Sequence, residues 1–250
     1  MTISFKRKLH RRDLLIGSIV TLPSLEISEI LSRQGFDWLL VDLEHSALTI
    51  REAQSILQTV TPGTPCVIRI PANDETWVKK CLDIGADGII IPHILTVEDA
   101  VRGVTFCKYP LDGSRSIGIG RAQGYGFDFQ DYISSADEDI AVILQVEHID
   151  AVRNMTSILN LPGIDGLFIG PYDLSASMGK TGLTTDPEVQ KAIFDVKQHA
   201  DETGMPMGIF GVGGEVIKPY IETGYTLIAV GIDTMIFQEA AAKILRTLKP

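Results

Sequence analysis

Cysteine is scarce in this 250-residue sequence. Cys66, Cys81 and Cys107 show no CxxC spacing, and three residues cannot all pair. They read as reduced, packed thiols of a cytoplasmic protein. Positive charge is also short: 22 Lys and Arg stand against 32 Asp and Glu, a net charge of −10. That argues against nucleic acid or an anionic membrane as partner, since both need basic patches. Small anionic substrates are not excluded, because they answer to local charge. No apolar run reaches the length of a membrane span. The start, "MTISFKRKLHRRDLL", is basic but lacks a following apolar core and a small-residue cleavage site, so no signal peptide is expected. Heptads, low-complexity stretches and Pro/Gly/Ser linkers between domains are missing too.

What the sequence does contain is a recurring unit. Eight short apolar runs, "LLIGSIV", "DWLLVD", "CVIRI", "GIIIP", "AVILQVE", "GLFIG", "PMGIF" and "LIAVG", are each followed by an amphipathic stretch. The runs are continuously apolar, as parallel strands buried on both faces are. Eight β–α units in this length predict a single-domain (β/α)₈ TIM barrel over residues 1–250. "IDAVRNMTSILN" reads as one helix. Asn73, Thr49 and Thr96 read as helix N-caps, Trp77, Cys81 and Leu82 as helix core, and His10 with its basic neighbours as a solvated face. A Gly-rich stretch at 109–139, with Arg115 and Arg121, reads as a long loop excursion before strand five. A doubly wound open sheet is the alternative, but "GIGRAQGYG" lacks the strand–turn–helix context of a dinucleotide fingerprint.

In such a barrel, chemistry gathers at the C-terminal ends of the strands. Asp42, Glu44 and His45 follow strand two. Arg69 ends strand three, His93 follows strand four, Gln145 and Glu147 share one face of strand five, and Asp173 follows strand six. Two carboxylates from adjacent strand ends suit a hard divalent cation such as Mg²⁺ or Mn²⁺. Arg69 would stabilise an enolate oxygen. His45, oriented by Asp42, would serve as a base near neutral pH. Glu44, His93 and His148 read as structural. No strand run contains or directly ends in Lys, which argues against imine catalysis.

"GFDWLLVDLEHS", "VIRIPANDETWVKKCLDIGADGIIIPHI", "LQVEHIDAVRNM", "GIDGLFIGPYDLSASMG" and "LIAVGID" resemble the HpcH/HpaI aldolase/citrate lyase family. The similarity is to its class II pyruvate aldolases, those acting on 4-hydroxy-2-oxoheptanedioate or 2-dehydro-3-deoxyglucarate, over residues 14–245. The resemblance implies a divalent cation (Mg²⁺, Mn²⁺ or Co²⁺) held by Glu147 and Asp173. It implies a pyruvate carboxylate at the backbone N–H groups near Tyr172 and Asp173, with Arg69 and Gln145 on the substrate. It implies His45 as base with Asp42 behind it. It also implies a role for Asp83 in tuning that histidine, across a subunit boundary, in a homohexamer that exchanges its last helix. Tyr172, His148, Leu43 and Leu95 depart from the family's usual residues, which bears on the aldehyde and not on the pyruvate half-site.

The expected reaction is cleavage or condensation of a 4-hydroxy-2-keto acid, giving pyruvate, through its enolate, plus an aldehyde. The partners expected are small molecules and further copies of the chain. Oxaloacetate decarboxylation at the same site is the second expectation. A non-catalytic barrel that binds 2-keto acids is the third, and the presence of a base speaks against it. Citrate-lyase-like use of acyl-CoA would want a basic patch that the sequence does not show.

Overall fold

The computed structural model describes residues 3–249. Eight parallel strands close in sequence order into a barrel: β1 (Leu15–Val20), β2 (Trp38–Asp42), β3 (Cys66–Arg69), β4 (Gly88–Ile91), β5 (Ala141–Val146), β6 (Gly166–Ile169), β7 (Met207–Gly211) and β8 (Leu227–Ile232). Closure excludes the open-sheet alternative. The helices are α1 (Phe5–His10), α2 (Leu25–Arg33), α3 (Ile50–Thr59), α4 (Glu75–Asp83), α5 (Val97–Cys107), α6 (Phe129–Asp139), α7 (Ile149–Arg153), α8 (Met155–Leu159), α9 (Pro171–Ser177), α10 (Pro187–Thr203), α11 (Gly214–Glu222) and α12 (Asp233–Leu248).

Alternate residues of each strand feed two cores. Leu39, Val41, Ile68, Ile89, Val142, Leu144 and Ile169 pack outward under the helices. Trp38, Leu40, Val67, Ile90, Ile143 and Phe168 fill the barrel interior. The Trp38 indole crosses to β1, where Nε1 donates to the Leu15 carbonyl at 3.2 Å. Gly17 makes that crossing possible, since a Cβ there would sit 2.6 Å from the indole.

His10, Arg7, Arg11 and Arg12 form the solvated face expected of them, but the segment that carries them has a buried side as well. Helix α1 plugs the bottom of the barrel with Phe5 and Leu9, which are 2% and 0% exposed and join the interior core. Lys6 and His10 reach the buried Asp165 carboxylate at 3.1 and 2.9 Å. An apolar residue every fourth position turns one side of this short basic helix inward.

Three local expectations also change. "IDAVRNMTSILN" breaks into α7 and α8 at Asn154, whose side chain donates to the Leu95 carbonyl at 2.8 Å. The N-cap of α4 is Asp74, because Asn73 is engaged with the Asp99 carbonyl at 2.8 Å. Thr49 and Thr96 do cap α3 and α5, each in a reciprocal capping box. Cys81 and Leu82 are fully buried and Trp77 partly so. The 109–139 stretch ends in α6, and its loop folds back on the helix ends below the barrel. There Arg121 donates to the Ile84 and Leu57 carbonyls, at the C-terminal ends of α4 and α3.

Candidate active site

The end of β2 folds into a tight turn because Asp42 supplies its own local acceptor. Its Oδ1 takes the backbone N–H of Glu44 at 3.0 Å and of His45 at 3.3 Å. The Ser46 hydroxyl closes the turn on the Asp42 carbonyl. Such Asx turns are what a short carboxylate offers the chain after it. The result displays Glu44 and His45 at the rim while Leu43 stays buried.

Strand register then sets Asp42 beside Arg69. The guanidinium forks the carboxylate, Nε to Oδ1 at 2.9 Å and Nη2 to Oδ2 at 2.7 Å. Burial works against the Arg69 charge, but the hydrogen bonds and charge of Asp42 outweigh it and raise its pKa. The same guanidinium lies 3.3 Å from Glu44 and 3.4 Å from the Gln145 amide oxygen. Gln145 in turn donates to Glu147 and, at 3.4 Å, to Glu44. Gly170 leaves room for this, since a Cβ there would come within 3.1 Å of the Glu147 Cβ.

The expected orientation of the His45 ring by Asp42 is not what the structure holds. Asp42 reaches His45 at the backbone, because both carboxylate oxygens are taken by Arg69 and the turn. The ring instead lies 3.5 Å from Glu44, through Nε2, and is 57% exposed. Asp83 is not at the rim of its own chain either. It ends α4, at the opposite end of the barrel, where it pairs with the fully buried Arg115 at 2.9 Å. Tyr172 and Asp173 lie in the first turn of α9, both exposed.

Two residues that read as structural in the sequence join the site. Glu44, His93 and Glu147 offer ligand atoms that all lie within 4.8 Å of one another. The His93 backbone N–H donates to Glu147 Oε1 at 2.8 Å, with His93 at φ +58°. His148 keeps a structural role, its Nδ1 accepting from the Asp150 N–H as the cap of α7. The usable signal was parity. Asp42 and Glu44 are two apart at a strand end, as are Gln145 and Glu147.

Two cavities of about 220 Å³ each flank this cluster and share His45 and Asp173. One is lined by Glu44, His93, Leu95, Glu147 and His148. The other is walled by Ile19, Leu40, Phe168, Phe210 and Ile232, with Asp42, Arg69 and Tyr172 at its mouth. No lysine lines either, among the described residues. A larger cavity of about 460 Å³ lies at the opposite end, beside Thr61, Pro65, Asp87 and Arg121, out of reach of every rim group.

The charge balance of the rim fits a divalent cation. Asp42, Glu44, Glu147 and Asp173 face it with a single fixed cation, Arg69. The Glu44 and Glu147 side chains are each only 6% exposed. Burial pushes the Glu44 carboxyl above the ordinary carboxylate range, with Arg69 opposing and Glu147 adding to the rise. Oxygen donors from adjacent strands with space beside them are what Mg²⁺, Mn²⁺ or Co²⁺ accept.

Residues 19–240 match the model of the HpcH/HpaI aldolase/citrate lyase family. The chain is 35% identical over 243 residues to the 2-dehydro-3,6-dideoxy-6-sulfogluconate aldolase of Pseudomonas putida, covering 96% of this chain and 95% of that one. It is 36% identical over 233 residues to the 4-hydroxy-2-oxovalerate aldolase of Rhodococcus jostii, covering 92% and 90%. A crystal structure of an HpcH/HpaI aldolase/citrate lyase family protein from Burkholderia cenocepacia superposes with a TM-score of 0.94 at 33% identity, over 98% of both chains.

Proposed function

The chain belongs to the HpcH/HpaI aldolase/citrate lyase family and is a carbon–carbon lyase, and from that premise we propose that it interconverts a 4-hydroxy-2-keto acid with pyruvate and an aldehyde, using a divalent cation. The observation that carries this reading is the convergence of Arg69, Glu44, Gln145 and Glu147, from the ends of β2, β3 and β5, into one hydrogen-bonded cluster between the two rim cavities.

Glu147 and Asp173 would hold the cation, with Glu44 beside them. Once bound, it supplies Lewis-acid stabilisation of charge on the substrate's carboxylate and keto oxygens. The first-turn N–H groups of Tyr172 and Asp173, which have no partner within α9, would donate to the carboxylate of the pyruvyl half. Arg69, held by Asp42, places fixed positive charge at the keto oxygen as it becomes an enolate oxygen. Gln145 bridges Arg69 and Glu147 and fixes both. His45 takes the 4-hydroxyl proton, and the C3–C4 bond then breaks to release the aldehyde. The electron pair stays on the pyruvyl half until a proton returns to C3. In the synthetic direction His45 gives that hydroxyl proton back.

We further place the active unit in a cytoplasmic homohexamer. The buried, unpaired Cys66, Cys81 and Cys107 support a reducing compartment, and among the described residues no helix is long and apolar enough to cross a membrane. Leu111, Ile119 and Phe127 stand exposed on the loop beside Asp83, as do large apolar side chains along α12. These faces support contact with further copies, through which Asp83 would approach a neighbour's His45.

The test is exchange of the pyruvate methyl protons in D₂O, followed by NMR. Exchange with added Mg²⁺, Mn²⁺ or Co²⁺, lost on adding EDTA, is the expected result. Folded protein that binds pyruvate without exchange would sink the reaction, and exchange that survives EDTA would sink the cation.

A further inference from the structure

We propose that His93 is a ligand of the rim cation, and that its imidazole makes the site select a divalent transition ion over Mg²⁺. The inference rests on the reading above that a cation is bound at the rim, and it adds a nitrogen donor to a set otherwise made of oxygens.

The first observation is position. His93 Nε2 lies 3.6 Å from Glu44 Oε1, and Nδ1 lies 3.6 Å from Glu147 Oε1. Those separations are too long for hydrogen bonds. An imidazole gives an ion one nitrogen, and with one ligand atom taken from each residue, Glu44, His93 and Glu147 all lie within 4.8 Å of one another, close enough to converge on a single ion.

The second is that the ring is uncommitted. The chain has five histidines. His10 is bonded to Asp165, His148 to the Asp150 N–H, and His199 to the Asp195 carbonyl. Among the described residues no hydrogen bond takes either ring nitrogen of His93. A lone pair is therefore available beside two carboxylates whose side chains are nearly inaccessible to water.

The third is the backbone. His93 sits at φ +58°, left-handed, a conformation that costs a side-chain-bearing residue about 1 kcal/mol or more. The contact that holds it there is its own N–H to Glu147 Oε1. One carboxylate thus fixes the residue from beneath while the ring stands over the cluster. Left-handed residues recur at ligand clamps because only surrounding contacts maintain them.

The consequence follows from ligand chemistry. Mg²⁺ favours all-oxygen shells and yields little to imidazole, whereas Co²⁺ and its neighbours bind nitrogen well. The experiment measures Co²⁺ and Mg²⁺ affinities of the intact protein without substrate, by competition with a chromophoric chelator. Co²⁺ is expected to bind tighter than Mg²⁺. His93→Gly keeps the left-handed backbone and removes the ring, and His93→Asn, which also tolerates that conformation, serves as a second variant. Both should lower Co²⁺ affinity by roughly 10- to 100-fold, in the range that disturbing a metal site produces, and leave Mg²⁺ affinity nearly unchanged. X-ray absorption at the cobalt edge should show imidazole scattering in the parent that is lost in both variants.

Unchanged Co²⁺ affinity in the folded variants, or imidazole scattering that persists in them, overturns the assignment of His93. In that case methyl exchange would still depend on the cation. If the parent binds neither ion and exchanges pyruvate protons in EDTA, the cation reading itself has failed.

Discussion

Arg69 and Asp42 face each other across adjacent strands and make two hydrogen bonds, at 2.9 and 2.7 Å. Their side chains are 14% and 2% exposed. A buried fork of this kind holds the guanidinium rigid, so that its remaining donor edge points at Gln145 and the cavity mouth. The pair therefore connects fold stability to the proposed chemistry.

Asp42→Asn should separate these contributions. It keeps the shape and leaves Arg69 buried with Glu44 and Glu147 as its remaining counter-charges. Losing one partner of a buried pair costs about 3–5 kcal/mol, and Glu44 at 3.3 Å places the expected loss at the low end. Arg69→Lys keeps the charge but cannot fork. It should cost less in urea unfolding while lowering kcat/KM for aldol cleavage by about 100-fold, as loss of one oxyanion donor does. An Asp42→Asn protein as stable as the parent would show that the fork carries no stability.

His45 offers a cleaner dissection, because its ring is more than half exposed and bonds to no core group. Its replacement by Ala should change unfolding free energy by about 0.5 kcal/mol or less. Aldol turnover should fall by about 10²- to 10⁴-fold, the usual worth of a positioned acid–base group. Full turnover in His45→Ala would remove the proposed base.

The barrel was legible because parallel strands buried on both faces read as apolar runs, and eight such runs alternate with amphipathic stretches. The rim was legible for the same reason: once strand ends are known, the polar residues just beyond them are candidates. What stayed hidden were relations that depend on geometry across strands. Asp42 looked like a partner for its sequence neighbour His45, yet strand register gives it to Arg69. His93 looked incidental because nothing in "IPHIL" announces a left-handed backbone. Helix α1 looked solvated because four of its six residues are basic, and the two that plug the barrel, Phe5 and Leu9, carry too little pattern alone. Asp83 lies at the far end of its own barrel, so any part it plays at a rim depends on another copy of the chain.

The cysteines lead to a chemical prediction. Cys66, Cys81 and Cys107 are buried, and burial pushes all three thiols up, Cys107 to about 12. A raised thiol pKa leaves the neutral form dominant at pH 8, and the thiolate is the reactive species. Native protein should therefore resist a disulfide reagent such as DTNB at that pH, and three equivalents should react once urea unfolds it. Rapid labelling of the native protein would contradict the packing described for β3, α4 and α5.

The last helix tests the assembly. Asp233 anchors α12 to the end of β1, its carboxylate accepting the N–H groups of Thr21 and Leu22, both at 2.8 Å, and the Thr21 hydroxyl at 2.6 Å. Beyond that root the helix leaves the barrel surface, and Ile236, Phe237, Ile244, Leu245 and Leu248 are between 41% and 74% exposed. An ordinary eighth helix of a barrel would bury such a row, and an apolar face this continuous marks an interaction surface. A chain ended after Met235 keeps the Asp233 anchor and loses the face. Mass photometry should show the parent as a hexamer and this variant as a smaller species, with the barrel still folded by circular dichroism. The double variant Ile236→Glu, Phe237→Glu should shift the same equilibrium without shortening the chain, since two buried charges at an apolar contact cost more than the contact returns. A parent protein that stays monomeric at micromolar concentration would leave α12 without a partner and remove the route by which Asp83 could reach His45.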